Sequence, residues 1–320
     1  MKQAAPSREQ ISLLLRAANP HWRLVRTWPL QGALSATVSA IEVEQGDGGR
    51  LTIVLRQYGA ANLQADPHAA VSEYRLLRLL SAAGLPVPRP YYADESCAIV
   101  SGPCLLQEFI DGERLDDPPD LSDFAGQLAA FLAGLHDTDF APADVGFLAD
   151  VSDDVARRLG TRPSPADEFL HETAVRAALT KSWPPRPVNP RVILHGDYWP
   201  GNVLWRNGNL AGVIDWEDAL LGDPLADLSI ARLELGWLYG PATMNTFTRQ
   251  YLALRPGLDT EALPLWDLRA ALRAGSFKLD SWGLPAANVA SMRAAHREFA
   301  ASALRQLGLN PDDPTARTQK

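Results

Sequence analysis

The sequence has 320 residues, 46% of them hydrophobic, enough for one large domain or two lobes around a sizeable core. Its 30 Lys and Arg against 38 Asp and Glu give a formal net charge of −8. That balance excludes a general nucleic-acid binder, which presents a basic face to phosphates. The two cysteines, Cys97 and Cys104, fit no zinc spacing and no disulfide framework, the usage expected of a reducing, cytoplasmic compartment. No window approaches a membrane span, and MKQAAPSREQISLLLRAANP lacks the long apolar core of a secretory signal.

Residues 37–57 read as a β-hairpin. TVSAIEVE and LTIVLRQ are β-prone, and QGDGG between them supplies turn residues. A small-residue loop, LQGALSA, feeds the first strand. A helix follows, with Asp66 as its cap, Pro67 in its first turn and Val71, Tyr74, Leu77 and Leu80 on one stripe. Gly84 stops it, and Pro86, Pro88 and Pro90 prevent its return. CAIVSGPCLLQEFIDGERL then gives short strands that end at the Asp111-Gly112 turn. From there the character changes. Phe124, Leu128, Phe131, Leu132 and Leu135 recur at helical spacing within 121–136, and a further helix is expected near 166–181 before the proline-rich WPPRPVNP. RVILHGD and LAGVIDW are strand candidates. From about residue 224 the chain reads as helical.

The richest stretch is LHGDYWPGNVLW, residues 194–205, followed by VIDWEDA. Each phrase sets polar residues at the end of an apolar, strand-like run. Asp, Pro, Gly and Asn are also ordinary turn residues. The order Asp197, Asn202, Asp215 nevertheless suits phosphoryl transfer from a nucleotide. That chemistry needs a base to orient the attacking hydroxyl and hard oxygen ligands for magnesium. In kinases the catalytic aspartate is followed by four residues and then a metal-binding asparagine. Here YWPG separates Asp197 from Asn202.

HGDYWPGNVLW with VIDWEDA resembles the signature of the aminoglycoside phosphotransferase superfamily. That group includes choline, homoserine and methylthioribose kinases and shares a fold with protein kinases. The resemblance runs from about residue 24 to at least 230. It implies an α+β, protein-kinase-like fold: residues 1–110 as a nucleotide-binding lobe, a small antiparallel sheet plus one helix, and residues 111–320 as a mainly helical lobe. It implies ATP, with GTP as a further possibility, and Mg2+ as cofactors, and a small-molecule hydroxyl acceptor. Asp197 would be the catalytic base, and Asn202 and Asp215 the magnesium ligands. His195 would brace the loop, and Asp227 in GDPLADL would support it. Arg56, in IVLRQ, falls where such kinases place a phosphate-binding lysine, and Glu73 where a helix glutamate pairs with it. Arginine departs from the pattern, since a planar fork is not a lysine point charge. Gly32 and Ser35 of QGALSA would lie over the phosphates, although the loop lacks the kinase glycine pattern. Backbone groups of Glu108 and Ile110 would meet adenine. Trp199, Trp205 and Trp216 are expected in the core or along a cleft wall.

Two other readings stay open. A nucleotide-binding, pseudokinase-like regulator is favoured only by Arg56. A metal hydrolase would use His195, Asp197, Asp215 and Asp223, yet the six histidines are scattered. The acceptor is not written in the sequence; Glu234, Trp237, Asp280 and Trp282 are candidates to face it. The acidic balance favours a cationic or neutral alcohol over an anionic one, with aminoglycosides as the leading named class.

Overall fold

The computed structural model describes residues 5–30, 36–161, 165–186, 188–275 and 285–312. Gly32, Ser35, Asp280 and Trp282 lie outside the described residues. In chain order the strands are β1 (Arg23–Pro29), β2 (Ala36–Glu44), β3 (Arg50–Tyr58), β4 (Pro90–Asp94), β5 (Cys104–Glu108), β6 (Val192–Leu194), β7 (Val203–Arg206), β8 (Asn209–Val213) and β9 (Leu220–Gly222). The helices are α1 (Arg8–Ala18), α2 (Ala60–Ala65), α3 (Ala69–Ala82), α4 (Leu121–His136), α5 (Pro142–Val145), α6 (Val151–Gly160), α7 (Glu172–Ser182), α8 (Leu225–Leu254), α9 (Leu263–Gly275) and α10 (Ala286–Gln306). They form two compact units, residues 1–113 with 203–217, and residues 114–202 with 218–320.

The first unit is built on a five-stranded antiparallel sheet, in the order β1-β2-β3-β5-β4. Helix α1, which the hydrophobic pattern did not announce, covers one face. Ser7 starts it with a capping box: the Ser7 hydroxyl accepts from the Gln10 N–H, and the Gln10 side chain accepts from the Ser7 N–H. Alternation along β3 divides its side chains between faces. Ile53 and Leu55 join Ile11, Leu14 and Leu15 of α1 in the core, while Val54, Arg56 and Tyr58 turn the other way. Helix α3 begins at Ala69 rather than at Pro67, because the Asp66 carboxylate caps the preceding turn by accepting from the His68 N–H at 2.8 Å. The β7–β8 hairpin belongs to this unit. Gly112 and Gly212 leave it room: a Cβ on Gly212 would sit 2.3 Å from the Ile110 side chain.

The second unit is mainly helical. In α4 the Asp120 carboxylate accepts from the Ser122 and Asp123 N–H groups, and the expected stripe of Phe124, Leu128, Phe131, Leu132 and Leu135 is buried. The helix expected from 166 starts only at Glu172, after a short 3-10 turn at Glu168–Leu170 and His171 at φ 55. Val175 and Leu179 of α7 pack with Leu265, Leu268 and Leu272 of α9 and with Ala300 and Leu304 of α10. Helix α8 bends at Gly240 (φ 83), followed by Pro241. The proline has no N–H for the helix ladder.

Truncating Leu55, which is 1% exposed, tests the first core. Leu55→Ala is expected to cost about 2–5 kcal/mol in chemical denaturation. Leu254→Ala, at a side chain 51% exposed, is expected to stay within about 0.5 kcal/mol.

Candidate functional site

In the first unit the site residues gather around Arg56. Its guanidinium is buried, a costly place for a charge without partners. Nη2 reaches Asp215 Oδ1 at 2.8 Å and also contacts Glu217 Oε2, while Nε lies 3.7 Å from Glu73 Oε2. Burial works against the charge, but Glu73, Asp215 and Glu217 outweigh it and hold the group firmly cationic. Glu73 is oriented in turn by the Tyr58 hydroxyl, which donates to Oε2 at 2.7 Å. Burial, then Glu73, pushes the Tyr58 phenol well up, so it remains a donor. Asn62 Nδ2 donates to Glu217 Oε2 at 2.8 Å. Asp215 follows β8 with φ 69, a left-handed conformation that Asp tolerates better than most residues.

Arg56 and Glu73 thus meet, as the resemblance implied, but Arg56 engages Asp215 and Glu217 more closely. Glu217, Asn62 and Tyr58 were not singled out in the sequence. Glu217 stands in the VIDWEDA phrase, the one signal that could have found it. The Glu108 N–H donates to the Arg89 carbonyl at 2.8 Å, and Ile110 packs over Gly212. Trp205 and Trp216 are buried, and Trp216 Nε1 donates to the Val213 carbonyl at 3.0 Å.

In the second unit the loop after β6 is held from beneath by Asp227, in the first turn of α8 and fully buried. Its Oδ2 accepts from the His195 N–H at 2.7 Å and its Oδ1 from the Gly196 N–H at 2.9 Å. Gly196 sits at φ 79, and a Cβ there would meet the Asp218 carbonyl oxygen at 1.8 Å, so only glycine fits. His195 Nδ1 accepts from the Asp197 N–H at 3.2 Å. His195 thus braces the loop through its backbone N–H and its ring Nδ1 together. Tyr198 anchors the loop to α4 by donating to the Leu128 carbonyl at 2.9 Å, and Trp199 packs over Gly201.

Asp197 is consequently presented at the end of a fixed loop. Asn202 Nδ2 donates to its backbone carbonyl at 2.9 Å and to Oδ2 at 3.1 Å. Its Oδ1 pairs with Arg273 Nη2 of α9 at 2.8 Å, and the same nitrogen lies 3.1 Å from Asp218 Oδ2. Nothing local in the sequence marks Arg273 as a neighbour of Asp197. Glu234 of α8 also faces this group: burial, then the charge of Asp197, pushes its carboxyl up to about 7 against the pull of Arg273. Trp237 stands edge-on to His296 of α10, with ring centroids 6.3 Å apart. Asp223, in the turn before α8, accepts from the Leu225 N–H at 2.9 Å and from Asn189.

Asp215 in the first unit and Asn202 in the second each carry the kind of hard oxygen that magnesium takes. Asp215 offers a carboxylate with a side chain 36% exposed. Asn202 spends its amide N–H on Asp197, which turns its oxygen to acceptor duty. Among the described residues no group of three or more His, Cys, Asp or Glu is arranged for a metal ion.

The sheet, the helical unit and the Asp227-held loop define a protein-kinase-like fold of the phosphotransferase class. The model of the APH phosphotransferase enzyme family matches residues 30–271, and the chain belongs to that family. Among curated proteins it is 29% identical over 232 residues to the homoserine kinase of Methylocella silvestris, covering 65% of this chain and 68% of that one. It is 26% identical over 196 residues to acyl-CoA dehydrogenase family member 10 of Mus musculus, covering 57% of this chain. The match spans only 18% of that mouse protein and 27% of acyl-CoA dehydrogenase family member 11 of Rattus norvegicus. Among solved structures it shares its fold with a thermostable mutant of the aminoglycoside phosphotransferase APH(4)-Ia in complex with ADP and hygromycin B. The TM-score is 0.64 at 17% identity, over 93% of this chain and 98% of that one. Amicoumacin kinase in complex with AMP-PNP and Ca2+ gives 0.62 at 17% identity, over 92% and 93%. No helix among the described residues is long and apolar enough to cross a membrane.

Two predictions follow from the geometry around the loop. Burial works to raise the Asp227 carboxyl, but the hydrogen bond and charge of His136, with His195, hold it below the ordinary range. The stability it contributes is present above the unfolded value of about 3.9 and is lost as pH falls through the lower folded value. Asp227→Ala strands two buried N–H groups and is expected to cost about 2–5 kcal/mol at pH 7. Asp227→Asn should lose less and show a shallower acid limb in denaturation. Glu234 has the opposite sign. Its carboxylate is disfavoured in the fold, so the penalty exists above about 7 and vanishes below the ordinary carboxyl range. Glu234→Gln should therefore raise the melting temperature at pH 8 and leave it unchanged at pH 4.

Proposed function

We propose that the protein is an ATP-dependent phosphotransferase that moves the γ-phosphate to a hydroxyl of a small molecule. One observation carries this reading. Asp197 is presented by a loop that Asp227 fixes through two backbone hydrogen bonds, with Asn202 bonded to the same carboxylate. This supports a base whose direction is set before the acceptor arrives, which is most of what phosphoryl transfer asks of a protein.

In the proposed reaction the acceptor hydroxyl donates its hydrogen bond to Asp197. As the acceptor oxygen forms its bond to the γ-phosphorus, the bond from that phosphorus to the bridging oxygen breaks. The electron pair leaves with ADP, and the hydroxyl proton passes to Asp197. Arg56, kept cationic by Glu73, Asp215 and Glu217, is the proposed partner of the nucleotide phosphates. Asn202 and Asp215 are the proposed magnesium ligands; the ion would neutralise charge on the phosphate oxygens. Gly32, Ser35 and the backbone of Glu108 and Ile110 remain proposed nucleotide contacts. ADP and AMP-PNP in the relatives' structures support ATP as the donor. A GDP complex of aminoglycoside 2'-phosphotransferase-IIIa supports a trial of GTP as well.

A regulator that binds nucleotide without turnover is favoured by one feature, the engagement of Arg56 by Asp215 and Glu217. Labelled ATP and magnesium with a panel of aminoglycoside, choline-type, sugar, macrolide and hydroxy-acid acceptors separates the two readings. Transfer is expected, and Asp197→Asn should lower turnover about a hundredfold or more while nucleotide binding persists. Asp215→Ala should abolish the magnesium dependence of that binding. Tight nucleotide binding with no transfer to any acceptor would leave the regulator in possession.

A further inference from the structure

The ladder between β3 and β5 has two faces of different chemistry. Ile53 and Leu55, with Cys104 and Leu106 of β5, pack into the apolar core beneath α1. On the other face the register sets Leu105 across from Arg56 and Gln107 across from Val54. Directly opposed residues of an antiparallel pair share a face. Gln107 therefore stands on the Arg56 face, two strand positions, about 7 Å, further along β5. It immediately precedes Glu108. Its side chain is 7% exposed, and Oε1 is buried with no hydrogen-bond partner among the described residues.

A buried carbonyl oxygen without a partner costs free energy that an apolar side chain of similar length avoids. The fold alone gives no reason for an amide at this position. Arg56 Nε, on the same face, is also buried with no hydrogen-bond partner, its nearest carboxylate oxygen being Glu73 Oε2 at 3.7 Å. One end of the face thus lacks an acceptor and the other lacks a donor, while Val54 and Leu105 beside them are apolar and buried. A nucleotide carries the missing groups in that order. Its phosphate oxygens accept, and beyond the ribose the base edge donates. Adenine offers an exocyclic amino group beside an accepting ring nitrogen, the pair that a glutamine amide matches. Guanine sets O6 at the same place, an acceptor facing an acceptor.

We propose that Gln107 is a specificity-determining residue that reads the nucleobase: Oε1 accepts a hydrogen bond from the exocyclic amino group of adenine, and so selects ATP over GTP. This rests on the phosphotransferase reading and deepens it. The backbone of Glu108 and Ile110 offers contacts that any residue could make there, whereas the Gln107 amide distinguishes one base from another.

The test measures dissociation constants by calorimetry, with magnesium present, for ATP, GTP and purine riboside triphosphate, which is ATP without the 6-amino group. Wild type, Gln107→Met and Gln107→Leu are compared. Methionine keeps the length and removes both polar atoms, and leucine carries the test if the methionine variant does not fold. Wild type is expected to bind ATP about fivefold or more tighter than either other nucleotide, the scale of one hydrogen bond to a buried group. In Gln107→Met, ATP and purine riboside triphosphate should bind within about twofold of each other. A distorted sheet would weaken all three nucleotides together and leave their ratios unmoved, so the ratios separate reading of the base from a structural role. Equal wild-type affinity for ATP and purine riboside triphosphate overturns this inference alone. So does GTP bound as tightly as ATP, or a wild-type ratio that persists in the folded variants. No binding of any of the three nucleotides overturns the phosphotransferase reading with it.

Discussion

The second unit depends on a single buried carboxylate. Asp227 sits in the first turn of α8, where the helix dipole favours negative charge. Its two oxygens take the N–H groups of two successive residues, His195 and Gly196. His136 approaches the same carboxylate at 3.4 Å and hands its other ring nitrogen to the Tyr251 hydroxyl at 2.6 Å. The end of β6, the face of α4 and both parts of α8 are thereby referred to one point. A loop of four or five residues has no packing of its own sufficient to fix a carboxylate. Its precision is borrowed from helices that are rigid because they are long and buried.

The first unit solves a comparable problem with the opposite sign. There the buried charge is a guanidinium, and three carboxylates from two stretches of chain converge on it. Glu73 comes from α3, and Asp215 and Glu217 come from the turn after β8. Removing a charge from water is tolerable only when opposite charges meet it inside, so the cluster ties the β7–β8 hairpin to the sheet as well as positioning its members. Both units use internal charge in this way. Arg232 with Asp267 and Arg176 with Glu172 are further buried pairs. The chain's surplus of acids is therefore a poor guide to the charge that a ligand meets locally.

What the sequence discloses is what short-range order determines. The β2–β3 hairpin and α4 were legible because strand alternation, turn residues and a helical stripe are all contained within about twenty positions. Asp197, Asn202 and Asp215 stand out in the sequence because two phrases carry them; the structure bonds Asn202 to Asp197 and sets Asp215 beside Arg56. Helix α1 and strand β1 escaped, although the capping box at Ser7 was there to be read. The start of α7 was misplaced because a 3-10 turn and the left-handed His171 intervene. Arg273 could not have been found. Its significance lies in the packing of α9 against the loop, and its neighbours in sequence, LRAALRAG, describe only an amphipathic helix. Glu217 falls between these cases: visible in its phrase, but without a role until Arg56 and Asn62 are seen beside it.

The bend in α8 has a consequence for how this architecture can change over time. In an unbroken helix each inserted residue turns everything downstream by about 100°, so a length change near Glu234 would misdirect Tyr251. Gly240, already in a conformation no helix residue shares, and Pro241, which lacks the N–H a helix would require, form a joint that can absorb such a turn. Each half has its own moorings: Arg232 to Asp267 on α9 for the first, Gln250 to the Ser122 carbonyl and Arg255 to Asp137 for the second. Two hydrogen bonds cross the joint among the described residues, from Arg232 Nη1 to the Thr248 hydroxyl at 2.9 Å and from the Thr243 hydroxyl to the Tyr239 carbonyl at 3.0 Å. A residue inserted or deleted at 240 or 241 is therefore expected to disturb the fold less than one placed elsewhere in α8. The stretch bearing Glu234 and Trp237 can be lengthened or shortened there while the support of the Asp197 loop keeps its register.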